Sequence, residues 1–246
     1  MFKRLSALIW LRTQIFITNK NILIPVLMPY FMVLLLKFVM NTDSSKGLDL
    51  MSLCFSMAIG MAVGSPISAM IAEEKEKNNL TTLLLNGVRP VEYVISVLFY
   101  PVLISMANLI LFPLITETNL SGIWESYSII MIMTSVASIL INFLVGTISQ
   151  TQSKAQIFSM IVTMVISLGP SLAIVNETVG KILEYSFIGA YIEFYRNPYF
   201  DIFSKSTYYL LAWCGVVSLL LVLSLKTTKK SFSNSIIKKI SLVFWS

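Results

Sequence analysis

The densest group of reactive side chains in this chain is a run of five charged residues, Glu73-Glu74-Lys75-Glu76-Lys77. The adjacent carboxylates of Glu73 and Glu74 are a pair that an intramembrane protease would combine with histidines. The chain contains no histidine. A Ser-His-Asp triad and an H-E-x-x-H zinc site are therefore excluded. These charges are better suited to binding than to catalysis.

Other site classes are equally poorly represented in the sequence. No G-x-x-x-x-G-K-[ST] motif is present, so the chain has no P-loop for ATP phosphates. Cys54 and Cys214 both fall in apolar runs, which disfavours a disulfide or a metal site. Charges are nearly absent from the long apolar runs, which argues against an ion-coupled transporter. A pump driven by a separate ATPase needs no such charges, and we expect no cofactor in the chain itself.

The composition is that of a membrane protein. Of the 246 residues, 56% are hydrophobic and only 12% are charged. Several apolar runs reach the ~20 residues that a helix needs to span the hydrocarbon core. The sequence predicts an all-α integral membrane protein with six spans, at about 21–40, 50–72, 93–115, 126–149, 157–175 and 207–225.

Three further segments flank the spans. Residues 1–20 place apolar side chains on one helical face, interrupted by Arg12, and predict a helix in the membrane interface; a poorly ordered basic leader is the alternative. The aromatic-rich loop 176–206 predicts short amphipathic or re-entrant helices, broken near Gly189 and Pro198. The basic tail 226–246 predicts a second interfacial helix that contacts anionic lipid or another subunit.

The distribution of Lys and Arg predicts the orientation. With the N-terminus in the cytoplasm, the loops on the outer side hold only Lys46, Lys181, Arg196 and Lys205. The remaining basic residues lie on the inner side or within span 1, as the positive-inside rule requires. Both termini and the polar insert 73–92 are then cytoplasmic. The net charge of +6 is explained by these loops and gives no reason to expect nucleic acid.

Small and polar residues recur every fourth position in three of the spans. Such stripes allow close helix packing, and a polar side chain in mid-bilayer requires a partner or water. Packing within one subunit and lining of a transport path both remain open. The candidates are Ser56, Gly60, Gly64 and Ser68 in span 2, Asn142 in span 4, and Ser159, Thr163 and Ser167 in span 5.

The insert resembles the signature loop of the ABC-2 type exporter permeases. The segment Glu74–Leu85, followed by Gly87–Ile95, is similar to the family pattern E-[RK]-E-x-G-T-L-x-x-L-L and the polar turn that leads into span 3. The arrangement of about six spans, with this loop after span 2 and a long loop before span 6, is also similar. The chain departs from the pattern at Asn78-Asn79, at Thr82, and at Ser96, near which the family often has a lysine.

By that resemblance, the insert carries a short coupling helix, at about Glu74 to Leu85, that docks into a separate ATPase subunit. The acidic residues would start this helix near its positive end, and its leucines would provide an apolar contact face. An ordinary solvated loop is the alternative. The predicted contact residues are Glu73, Glu74, Lys75, Glu76, Leu80, Leu83, Leu84 and Arg89.

The resemblance also implies the function. The chain would be the permease subunit of an ATP-binding cassette exporter in a bacterial plasma membrane. It would pair with a second permease copy, as a homodimer or heterodimer, and with two ATPase subunits that bind ATP and Mg. The path would run near spans 1, 2 and 5 and carry an amphipathic or antimicrobial-type peptide. A multidrug or lipid exporter, a membrane scaffold without transport activity and a membrane-embedded enzyme are the alternatives.

Overall fold

The chain folds into a bundle of helices. The computed structural model describes residues 2–40, 47–197 and 201–243, and every regular element in those ranges is a helix. The elements are α1 Phe2–Thr18, α2 Lys20–Met40, α3 Gly47–Met57, a π-helical segment Ala58–Gly64, α4 Ser65–Glu76, α5 Asn79–Leu85, α6 Pro90–Thr116, α7 Trp124–Ile148, α8 Gln152–Val175, α9 Glu177–Glu184, α10 Gly189–Arg196 and α11 Lys205–Val243.

Six helical stretches in the described residues are long and apolar enough to cross a membrane. The prediction of an all-α chain with six such helices is therefore confirmed. The sidedness of the termini stays a prediction. The six stretches are Lys20–Val39, Gly47–Glu76, Pro90–Thr116, Trp124–Ile148, Gln152–Val175 and Lys205–Leu225.

The second stretch, which joins α3, the π-helical segment and α4, forms the centre of the bundle. In its apolar 18-residue window 78% of the residues are buried within the protein, whereas only 22% and 17% are buried in the corresponding windows of α2 and α11. The side chains of Phe55, Ile59, Ile67 and Ile71 belong to the buried core. The central stretch is thus held by neighbouring helices, and the outer two present most of their apolar surface outward.

The π-helical segment lies just before a proline, Pro66. Pro66 has no N–H, and its ring clashes with the carbonyl of the preceding turn. The N–H of Ser65 donates to the carbonyl of Gly60, five residues earlier, which is the spacing of a π-helix. Side chains from neighbouring helices reach the carbonyls of the segment: Thr163 Oγ1 lies 3.2 Å from the oxygen of Gly60.

The loop between α8 and α11 folds into two short helices, α9 and α10. They are separated at residues 185–188, just before Gly189, where a Cβ would lie 2.1 Å from the carbonyl oxygen of Glu184. Pro198 lies outside the described residues. The hydroxyl of Tyr191 on α10 donates to the carbonyl of Ser52 at 2.6 Å. We call this side of the bundle the Tyr191 end and the opposite side, near α1 and α5, the Arg12 end.

Two helix limits differ from the predictions. The charged run was predicted to start the short helix, but α4 continues to Glu76 and α5 begins only at Asn79. The acidic residues therefore end a long helix instead of starting a short one. The predicted second interfacial helix is instead a continuation of α11, which runs unbroken to Val243.

Candidate functional site

A buried ion pair joins α1 to the end of α4. Arg12 is 0% exposed, and its Nη1 contacts Oε1 of Glu74, itself 5% exposed. The second guanidinium nitrogen, Nη2, lies 3.2 Å from Oε2 of the same carboxylate. This two-point geometry is the strong form of an arginine–carboxylate contact.

Two residues of α6 complete the surroundings of this pair. The hydroxyl of Tyr93 donates to Oε2 of Glu74 at 2.7 Å, and Nε of Arg12 donates to the hydroxyl of Ser96 at 3.4 Å. The guanidinium also lies 5.3 Å from the centre of the Tyr93 ring, within the range of a cation–π contact. We call Arg12, Glu74, Tyr93 and Ser96 the Arg12 cluster. It connects α1, α4 and α6.

Lys75 connects α4 to α7. Its ammonium nitrogen donates to the carbonyls of Thr147 and Ser149, at 2.5 and 2.7 Å. These carbonyls lie at the C-terminus of α7, where the last turn has no helical donors for them. A positive charge there also matches the negative end of the helix dipole.

Glu76 connects α4 to α8, and Glu73 connects it to Asn19, the residue between α1 and α2. A carboxylate oxygen of Glu76 accepts the N–H of Gln152, the first residue of α8, at 2.7 Å, which places a negative charge at a helix N-terminus. Glu73 accepts from Asn19 at 3.2 Å and pairs with Lys77 at 2.6 Å. The hydrogen bond from Lys77 to Glu73, together with the carboxylate charge, raises the pKa of the exposed Lys77.

The charged run therefore binds the end of α4 to neighbouring helices through hydrogen bonds and an ion pair. Its residues from Glu73 to Glu76 all contact neighbouring segments, and together they link the last turn of α4 to α1, α6, α7 and α8. Glu74 faces the interior of the protein, away from any surface for a partner. Sequence reasoning missed Arg12, Tyr93 and Ser96. The available signal was a charged residue, Arg12, on the apolar face of an amphipathic helix.

Removal of Lys75 should loosen the end of α7. We expect Lys75→Ala to lower the free energy of unfolding by about 1–3 kcal/mol, because it leaves two carbonyls at the helix end without donors. Amide hydrogen exchange over residues 145–149 should speed up. The control is Lys77→Ala, which removes an exposed charge of the same type. Unchanged exchange at the end of α7 in Lys75→Ala would contradict this assignment.

The short helix α5 follows directly after this fastened end. Leu80 and Leu83 are partly buried and pack against the chain's own core, so the predicted apolar contact face is half covered. The side chain of Leu84 lies outside those that the structure describes. Among the described side chains of α5 and the residue after it, the exposed ones are polar, and we call them the α5 outer edge: Asn79, Thr82 and Asn86. Arg89, also exposed, precedes α6, and its N–H donates to Glu92 at 3.0 Å.

Left-handed turns bound α5 on both sides. Asn78 has φ of 57° and Gly87 has φ of 81°. Asparagine and glycine are the residues that most readily take this conformation after a helix. Arg4 of α1 donates to the carbonyl of Gly87 at 2.8 Å, so α1 also contacts the far end of α5.

The residues of the small-residue stripes lie in contacts between helices of one chain. A Cβ on Gly64 would lie 2.3 Å from the side-chain nitrogen of Asn142. The oxygen of Asn142 accepts from Ser159 at 2.7 Å, and its nitrogen donates to the carbonyl of Ser138 at 3.0 Å. Ser56 donates to the carbonyl of Ser167 at 3.3 Å. On the same face, Ser68 packs where α4 meets Gly146 of α7.

A cavity of about 200 Å³ lies between α2, the central stretch and α8. Two of the predicted stripe residues, Ser159 and Thr163, line it, together with the polar side chains of Asn21, Ser65 and Gln156. It therefore lies between spans 1, 2 and 5, where the resemblance predicts the path.

No protein-family model, curated protein or solved structure matches this chain. The site must be interpreted from its own geometry. That geometry is a short exposed helix whose neighbouring span end is tied to four other helices, so a displacement of the short helix would be passed to the bundle.

Proposed function

We propose that the chain is the permease subunit of an ATP-binding cassette exporter, and that α5 is the element contacted by a separate ATPase subunit. One observation carries the proposal: α5 is an exposed short helix at the turn between two spans, and the span end beside it is bound to its neighbours by hydrogen bonds and an ion pair. A helix placed in this way can receive a push from outside the bundle.

The contacts at the end of α4 would transmit a movement of α5 to the spans. Only Lys77 and Asn78 separate α4 from α5. The last turn of α4 is bound to α1 and α6 through the Arg12 cluster, and to α7 and α8 through Lys75 and Glu76. ATP-driven movement of a bound ATPase would therefore move several spans together.

The departures from the family pattern are compatible with the same role. Asn78 stands where the pattern has glycine, and it takes the left-handed conformation that glycine favours. Ser96 is near the position where the family often has a lysine, and Arg12 donates to its hydroxyl. A positive charge from α1 thus lies next to Ser96.

Within this proposal the contact surface shifts from the leucines of α5 to its polar residues. Because Leu80 and Leu83 are half-buried in the chain itself, the α5 outer edge and Arg89 are, among the described side chains, the ones most open to a partner. The partners are two ATPase copies, which hold ATP and Mg, and a second permease copy. The cargo is an amphipathic or antimicrobial-type peptide, consistent with the mixed lining of the cavity between spans 1, 2 and 5. The site of action is a bacterial plasma membrane.

A change at the α5 outer edge tests the proposal. We expect Thr82→Arg to reduce co-purification of an ATP-hydrolysing subunit at least about tenfold, because a bulky charge in the centre of an interface costs on the order of 2 kcal/mol. Thr82 is exposed, so the unfolding midpoint should not change. The measurement is ATPase activity recovered with the affinity-purified chain.

The matched control is Ser121→Arg, which places the same side chain at an exposed position in the loop before α7, at the Tyr191 end. That variant should retain the ATPase. If Thr82→Arg retained it equally, or if the wild-type chain recovered no ATPase, the coupling assignment would be wrong and a scaffold without transport activity would be favoured.

A further inference from the structure

A weak point in the backbone lies near the middle of the central stretch. Just after the π-helical segment Ala58–Gly64, the N–H of Ser65 donates to the carbonyl of Gly60, five residues earlier. At the same spacing the next N–H would reach the carbonyl of Met61, but the next residue is Pro66, which has none. The hydroxyl of Ser65 donates to that carbonyl instead, at 2.9 Å. One side-chain hydrogen bond therefore replaces a backbone bond at this turn.

The two halves of the central stretch are held at opposite ends of the bundle. On one side, the carbonyl of Ser52 on α3 accepts from Tyr191 at 2.6 Å. On the other side, α4 is bound through the Arg12 cluster and through Lys75. Each half therefore follows different neighbours. A relative movement of the two ends would be concentrated at the π-helical segment and Pro66, which are features at which helices bend.

Neutral hydroxyls bind the segment to the neighbouring helices. Ser138 of α7 donates to the carbonyl of Ile59 at 3.2 Å. Thr163 of α8 donates to the carbonyl of Gly60, also at 3.2 Å. Such bonds are weaker than the charge-assisted bonds that hold the end of α4. The segment is thus held less firmly than the helix end below it.

Free space lies beside the same point. The cavity of about 200 Å³ between α2 and α8 is lined, on the central stretch, by Met61, Ser65 and Ala69. Protein interiors are close-packed, so a helix can tilt only where there is room for it. Met160 of α8 also lines the cavity, and the unbranched side chains of Met61 and Met160 can adapt to a change in its shape.

We propose that the π-helical segment is a hinge about which α4 tilts relative to α3. The tilt changes the width of the cavity between α2 and α8. The pivot is the contact of Gly64 with Asn142, where a Cβ would lie 2.3 Å from the side-chain nitrogen and the packing leaves no room for movement. The hinge is a property of the chain itself and requires no ATPase. If α5 is driven by an ATPase, as proposed above, the hinge is the place where the movement of α4 separates from α3.

Amide hydrogen exchange of the purified full chain, followed by mass spectrometry, tests the hinge. Each tilt breaks backbone bonds of the segment and opens their N–H groups to exchange. Although the segment is largely buried, we expect the amides of residues 60–65 to exchange at least about tenfold faster than those of residues 68–72, which lie within α4.

Two variants should change this rate in opposite directions. Pro66→Ala supplies the missing N–H and should slow exchange at residues 60–65 by about tenfold. Ser65→Ala removes the hydroxyl that serves the carbonyl of Met61 and should speed up exchange by about threefold. The control is Pro170→Ala, which removes a proline from within α8 and should leave the segment unchanged.

A second pair of variants tests the role of the cavity. Ala69 is 4% exposed and lines the cavity, so Ala69→Leu should leave less room for the tilt and slow exchange at residues 60–65 by at least about threefold. Ala212→Leu, at an exposed position of α11, should not slow it. Entry of water alone would account for an effect of Ala69→Leu, but not for one of Pro66→Ala, which leaves the cavity open.

Three results would overturn the hinge. The first is equal exchange at residues 60–65 and 68–72 in the wild type. The second is a wild-type rate at residues 60–65 in both Pro66→Ala and Ser65→Ala, whatever the effect of Ala69→Leu. The third is an unchanged rate in Ala69→Leu, because a tilt into the cavity cannot persist once the cavity is filled.

Discussion

Arg12→Ala should be among the most destabilising single changes in this chain, lowering the free energy of unfolding by about 3–5 kcal/mol. The reason is the state of Glu74, which would remain buried as an uncompensated charge. Tyr93 alone would still donate to it. The measurement is the unfolding midpoint of the purified protein in detergent, with an added denaturant series.

Arg4→Ala is the matched control, because it removes an arginine from the same helix. Arg4 is exposed and donates to the carbonyl of Gly87, a contact worth at most about 1 kcal/mol. Arg12→Lys should fall between the two, since lysine keeps the charge but loses the two-point contact. Equal destabilisation by Arg4→Ala and Arg12→Ala would refute the special role of the buried pair.

A combined replacement separates the cost of the lost partner from the loss of packing. In the variant Arg12→Met, Glu74→Leu, Tyr93→Phe, no charge or hydroxyl of these three residues remains buried. Apolar side chains of similar volume commonly replace a buried ion pair at no cost in stability. We therefore expect most of the stability lost in Arg12→Ala to return. No recovery would mean that the ion pair itself provides net stabilisation.

The parts of the fold that follow from local pattern could be predicted from the sequence. Six apolar runs of sufficient length predicted six spans, and the part of the chain that the structure describes has six such helices. Asn142 was expected to need a polar partner, and it has Ser159. Each inference uses only the residue type and its neighbours along the chain.

The role of the charged run could not be predicted in this way, because its partners are far away in sequence. Arg12 and Glu74 are 62 positions apart, and Lys75 and Thr147 are 72 positions apart. A row of charges after an apolar run is compatible both with a solvated surface and with a set of polar contacts between helix ends. Only the packing of α1, α7 and α8 around α4 decides between them. The same packing half-covers Leu80 and Leu83, which looked free in the sequence.

Gly64→Val should also cause a large loss, of about 2–4 kcal/mol. At this position a Cβ alone would lie 2.3 Å from the nitrogen of Asn142 and 2.9 Å from the hydroxyl of Ser138. Overpacking in a tight core commonly costs about 1–3 kcal/mol. Displacement of Asn142 would also break its hydrogen bond with Ser159, which adds on the order of 1 kcal/mol between membrane helices. The measurement is again the unfolding midpoint.

Gly215→Val is the control, because a Cβ on Gly215 of α11 would meet nothing within 4 Å. It should change stability by no more than about 0.5 kcal/mol. Asn142→Ala in the background of Gly64→Ala should relieve the clash, so the two changes should be less costly together than the sum of each alone. Additive losses would show that Gly64 and Asn142 are not in contact.

These two glycine variants also decide how the small-residue face of the central stretch is used. If that face were open to a second copy of the chain, Gly64→Val would weaken association and leave the unfolding of each subunit unchanged. In the structure the face is filled by Asn142 from α7 and Thr163 from α8. We therefore expect Gly64→Val to lower subunit stability itself, so any pairing between copies of the chain must use other surfaces. Of the six apolar stretches, those of α2 and α11 are the least buried, so their exposed sides are available for such contacts and for lipid.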